Sequence, residues 1–95
     1  MILKLFSVYD SGVEAYLPPI LFKSKGEFLR AFEQTVNDSK SNMAKYPSQF
    51  VAFEIGSWND ESCTFDIYKA PVSLGVALEF VRSPLVDEKA RPAAG

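Results

Sequence analysis

The chain has 95 residues, 47% hydrophobic and 23% charged, the composition of one globular domain and not of a disordered or collagen-like chain. It contains no histidine and one cysteine, which excludes intramolecular disulfides, Cys/His zinc sites and every histidine-based nucleophile or general base; a single thiol fits a reducing compartment. Ten basic residues against twelve acidic ones give a net charge of −2, so the chain is no polybasic nucleic-acid coat, and composition points to a non-enzymatic domain needing no cofactor.

Residues 2–9 read as a strand, because β-branched and aromatic residues dominate and no helical period appears. Leu3, Leu5, Ser7 and Tyr9 alternate with Ile2, Lys4, Phe6 and Val8, so both faces are largely apolar. Lys4 and Asp10 interrupt the apolar run, which lacks the basic start and long apolar stretch of a signal peptide. With no run of membrane-spanning length, the protein is expected to stay in the cytoplasm where it is made. Asp10-Ser11-Gly12 signals a turn, and residues 16–22 return as an extended segment. Pro18 and Pro19 remove two backbone donors there, which places the segment at a sheet edge or puts a break in it.

Ser24-Lys25-Gly26-Glu27 matches a capping box, and Phe28, Leu29, Phe32 and Val36 behind it form one helical stripe. Residues 38–49 are polar and irregular, with one short turn expected at residues 42–45. Residues 50–58 and 63–70 alternate as strands around the loop Asn59-Asp60-Glu61-Ser62, which predicts a hairpin with Phe53, Ile55, Phe65 and Ile67 in the core. Pro71 is expected to end the second strand, and Ser73 to cap a short helix with Leu74, Ala77, Leu78 and Val81 on its inner stripe. The fold expected is therefore α+β in the order ββαββα: an antiparallel sheet of two hairpins with helices on one face. Residues 1–82 form the single domain, and residues 83–95 a flexible C-terminal tail.

No phosphate-binding glycine loop is present; the glycines at 12, 26, 56, 75 and 95 are scattered. Asp60-Glu61 at a hairpin tip reads as solvation, and Cys63 in an alternating strand as a small core residue. The binding signal is stronger. Phe6, Tyr9, Tyr16, Phe22, Phe50, Phe53, Trp58, Phe65 and Tyr68 all fall on strand segments, and rings on a sheet beside cations suit single-stranded nucleic acid. Charge is uneven along the chain: residues 22–46 carry five positive groups (Lys23, Lys25, Arg30, Lys40, Lys45) against three negative ones. These five are the candidate phosphate contacts, with Tyr16 or Tyr46 stacking on bases; the alternative is that most rings are core and the lysines only solvate a helix and its loop.

Several segments together resemble the small nonstructural protein of gokushovirus-type microviruses, tailless phages with circular single-stranded DNA. They are residues 1–10 (MILKLFSVYD), 15–19 (AYLPP), 24–27 (SKGE), 30–32 (RAF), 36–38 (VND), 53–56 (FEIG) and 71–80 (PVSLGVALEF). The resemblance implies a non-enzymatic protein of the infected cell that binds single-stranded DNA. Its expected role lies in the switch from double-stranded replication to single-stranded genome synthesis and packaging. An acidic chain would achieve this as a dimer or higher oligomer that concentrates positive charge. The alternative is an adaptor that contacts the replication initiator or the procapsid and never grips DNA itself.

Overall fold

The computed structural model describes residues 1–82. The tail expected at 83–95 lies outside them. Five strands, β1 (Ile2–Asp10), β2 (Ala15–Tyr16), β3 (Ile20–Phe22), β4 (Phe50–Asn59) and β5 (Thr64–Val76), form one antiparallel sheet. Two helices, α1 (Lys25–Val36) and the single turn α2 (Asn42–Lys45), connect β3 to β4, and 3₁₀ turns follow at Pro47–Gln49 and Ala77–Phe80. The strand order is β2-β1-β4-β5, with β3 pairing beside β2 on the same edge of β1. No helix among the described residues is long and apolar enough to cross a membrane.

The anticipated break at the proline pair separates β2 from β3. The Leu17 amide donates to the Val8 carbonyl at 2.8 Å, and the buried Ser7 hydroxyl donates to the Leu17 carbonyl at 2.7 Å, which hooks the kink onto β1. Ser24 caps α1 by accepting from the Glu27 amide at 3.2 Å. The Glu27 carboxylate reaches back to the Lys23 amide, one residue beyond the Ser24 amide a capping box uses. Asn37 closes the helix: its side-chain amide donates to the Glu33 and Phe80 carbonyls, and its oxygen accepts from the Arg82 amide.

The core lies between α1 and one face of the sheet. Phe28, Phe32 and Val36 meet Phe6, Val8, Phe50, Ala52 and Ala77, all buried, and Phe6 stacks on Phe28 with ring centroids 4.3 Å apart. Phe22 and Phe80 close the two ends of this aromatic column.

Four expectations are overturned. The first is the fold class: strand accounts for 45% of the described residues and helix of every kind for 28%, so the ββαββα layering gives way to a curled antiparallel half-barrel. Second, in place of the helix expected after Ser73 the strand runs on to Val76, and only a 3₁₀ turn follows at Ala77–Phe80. Glu54 faces Val72 and Gly56 faces Ile67, so residues 68–71 bulge out opposite Ile55 alone. Pro71 sits in that bulge on an edge strand, where its missing donor costs no ladder bond, and β5 resumes beyond it to pair with β4. Third, the hairpin presents the opposite parity: Phe50 and Ala52 point to α1, Phe53 and Ile55 are half-buried, and Phe65 and Ile67 are each 58% exposed. A strand with two apolar faces fixes no register by itself, and here the face carrying the small Ala52 lies under the helix. Fourth, Cys63 is exposed at the hairpin turn in a left-handed conformation (φ 59°), not in the core.

This packing sets a contrast measurable by urea unfolding followed by circular dichroism. Phe28→Ala lowers the unfolding free energy by about 3–5 kcal/mol, as for a large-to-small change in a sealed core. Phe65→Ala, on the open face, stays within about 1 kcal/mol.

Candidate functional site

The face of the sheet opposite α1 is mostly apolar, and among the described residues no helix covers it, although Leu5, Ser7 and Gly56 on it are buried. Partners across the ladders define its rows: Leu3, Trp58 and Phe65; Leu5, Gly56 and Ile67, with Leu21 beside Leu5; Ser7, Phe53 and Ser73; Tyr9, Val51 and Val76, with Tyr16 beside Tyr9. Two aromatic groups stand on it. Trp58 and Phe65 lie 4.6 Å apart, centroid to centroid; Tyr16 lies 4.9 Å from Tyr9 and 5.7 Å from Phe53. Leu3 and Ser7 mark the two rows on β1, four residues apart, which puts the groups roughly 13 Å from each other. Gly56 keeps the rows close between them: a Cβ there would collide with the Asp66 carbonyl oxygen and meet the Ile67 Cα at 3.0 Å.

The helix side differs beyond the reach of α1. There the rows are Lys4, Ser57 and Asp66, then Ile2, Asn59 and Thr64, mostly polar. Glu54, half-buried beside the bulge, accepts from Lys4 at 3.4 Å and from the Tyr68 hydroxyl at 2.5 Å, which ties β1 and β5 together where the ladders break. At the hairpin tip the Met1 ammonium meets Asp60 at 2.7 Å and Glu61 at 3.5 Å. The Asp60 hydrogen bond raises that ammonium above its ordinary range. The acidic pair is thus engaged by the chain's own terminus.

The seven residues singled out from sequence do not converge. Lys23, Lys25, Arg30, Lys40 and Lys45 are all exposed, and among the described residues none is ion-paired. Lys23 and Lys25 stand at the start of α1, Lys40 and Lys45 beyond its end, about 18 Å of helix between them. Lys4 opposes Phe22, the last residue of β3, and Lys23 follows where that ladder ends, near the level of Leu3 and its Trp58–Phe65 row. Tyr16 lies on the open face at its other end, 49% exposed. Tyr46 is also exposed, but lines a separate cleft with Asp10, Asn42 and Gln49.

Sequence reasoning placed Phe53 and Phe65 in the core, whereas Phe65 is exposed and Phe53 half-buried on the face away from α1. The signal was the alternation itself: a chain with one long helix cannot cover both apolar faces of β1 and β4. No group of three or more metal-ligating side chains occurs among the described residues.

A family model described as "Phage ORF5 protein" matches residues 3–80, and the chain belongs to that phage family. No curated protein and no solved structure matches it significantly.

The Glu54 contact sets a pH dependence. Its hydrogen bond, then partial burial and the carboxylate's charge, raise the Tyr68 phenol above its ordinary value. A folded pKa above the unfolded one means that the stabilisation is fully present below about pH 10 and is lost as pH rises through the folded value. Titration of the Tyr68 ring carbons by NMR is expected to give a midpoint above that of free tyrosine, and Glu54→Ala to bring it down.

Proposed function

We propose that this phage protein binds single-stranded DNA across the open face of its sheet, with bases stacking on Trp58 and Phe65 and on Tyr9, Tyr16 and Phe53. The observation that carries this reading is the ring-bearing face with no helix over it among the described residues, on which Phe65 and Tyr16 are exposed and Trp58, Tyr9 and Phe53 half-buried. Base stacking on such rings tolerates any sequence, and Lys23 near the level of one row, with Lys25 next to it, supplies phosphate contacts. The resemblance to the microvirus nonstructural protein supports the biological setting: the infected cell's cytoplasm, during the change from duplex replication to single-stranded genome synthesis and packaging.

The net charge of −2 fits this division of labour. Rings carry most of the contact, cations little, and a second copy of the chain adds to both. Arg30, Lys40 and Lys45 lie away from the face and serve chiefly to keep the helix layer soluble.

Trp58 is the only tryptophan, so its fluorescence reports binding directly. A mixed-sequence ten-nucleotide strand is expected to quench it. With two phosphate contacts, the affinity falls with salt at a log–log slope of about −1.4. Phe65→Ala weakens binding at least about fivefold without unfolding the protein. Lys23→Glu with Lys25→Glu flattens the salt slope. An unquenched Trp58 with no salt-dependent binding would overturn this reading, and favour the adaptor that contacts the replication initiator or procapsid.

A further inference from the structure

A second feature lies at the end of the sheet remote from the hairpin tip. The end of β1, the 11–14 turn, α2 and the 3₁₀ turn before β4 enclose a cleft of about 320 Å³. Its walls are held by backbone bonds. The Ser11 amide and hydroxyl both donate to the Gln49 carbonyl, at 2.9 and 3.1 Å, and the Tyr46 and Gln49 amides donate to the Asn42 and Tyr46 carbonyls. Gly12 is fitted closely into the wall: a Cβ there would lie 2.6 Å from the Gln49 side-chain oxygen and 3.1 Å from Asp10 Oδ1.

Four polar side chains meet at this cleft: Asp10, Asn42, Tyr46 and Gln49. Asp10 Oδ1 accepts from the Gly12 amide at 2.9 Å, which fixes the carboxylate. Among the described residues, the carboxamides of Asn42 and Gln49 and the Tyr46 hydroxyl have no protein hydrogen-bond partner. The cleft thus offers donors, acceptors and an aromatic ring in a space at the small end of the range for ligand pockets.

We propose that this cleft holds one nucleobase bearing an exocyclic amino group, turned out of a bound single strand and lying against the Tyr46 ring. The inference rests on the single-strand reading above and adds base selectivity to it. Asp10 decides the chemistry. A carboxylate repels phosphate but accepts from the amino group of cytosine, adenine or guanine, while carboxamides such as Asn42 and Gln49 both donate and accept along a base edge. Thymine has no amino group to offer. Asp10 follows Tyr9 directly but pairs with Phe50 and so points to the helix side, and one bound strand serving both sites would wrap around this end of the sheet from the Tyr9–Tyr16 rings to the cleft.

The test combines NMR of the Asn42 and Gln49 side-chain amides with Trp58 fluorescence, using ten-nucleotide dA, dC and dT strands and the mononucleotides dAMP, dCMP and dTMP. Expected are shifts of both amides with the dA and dC ligands, much smaller ones with dT ligands, and at least about fivefold tighter binding of dA or dC strands than of dT. Asp10→Asn, which keeps an acceptor for Gly12, should remove that preference, and Tyr46→Ala, at an exposed position, should weaken dA and dC binding at least about fivefold. Amides that stay still with every ligand, or a dT strand bound as tightly as dA and dC, overturn the cleft proposal. Trp58 separates the two readings: quenching with still amides leaves the face standing alone, and amides that shift with dAMP while no strand quenches Trp58 leave the cleft alone.

Discussion

One twelve-residue helix, about 18 Å long, has to shield a sheet whose central strand β4 runs for about 33 Å. The rest of the molecule follows from that mismatch. Under the helix the sheet is sealed by Phe6, Phe28, Phe32 and Phe50, and the small Ala52 and Ala77 let the layers approach. Past the helix the same side turns polar, with Lys4, Ser57 and Asp66, because nothing apolar there would be covered. The other side has no helix among the described residues, yet carries Trp58, Phe53, Tyr16 and Phe65. Rings left on an open face of that length mark a surface meant for contact.

Much of the local structure was legible from sequence. The Ser24 cap, the Phe28–Phe32–Val36 stripe, the α2 turn and the proline break after Tyr16 each follow from a local preference that tertiary contacts reinforce. The failures share one cause. Pro71 reads as a terminator only if the ladder is regular, and the Phe53/Phe65 parity reads as core only if the apolar face is unique. A four-residue bulge and a two-sided strand defeat both assumptions, and neither has a signature within a few residues. The five cations were legible as exposed, but their spread along α1 was not, because sequence proximity from 22 to 46 hides a helix that holds its ends apart. The cleft of Asp10, Asn42 and Gln49 joins residues up to 39 apart and offered no linear motif.

Charge and stacking surface are thus largely separate in space. An acidic chain that contacts nucleic acid through rings and base edges depends less on counterion release than a basic one. It also avoids holding every nucleic acid in the cell by electrostatics alone, and lets the exposure of bases, which only single strands offer freely, select its partner.

The bulge opposite Ile55 has a consequence for how the molecule breathes. It interrupts the ladders on both sides of β4 at nearly the same level, leaving Glu54, with Lys4 and Tyr68, as the polar bridge between the halves. Above the break the sheet is clamped by the helix; below it the hairpin has no packed layer on either side. Two cooperative units are expected: amide hydrogens of Phe6 and Val8 should exchange with solvent only when the whole domain unfolds, and those of Trp58, Asn59 and Phe65 through a smaller opening that leaves the helix in place. The end of the sheet that bears Trp58 can therefore reshape around whatever it meets without drawing on the stability of the fold.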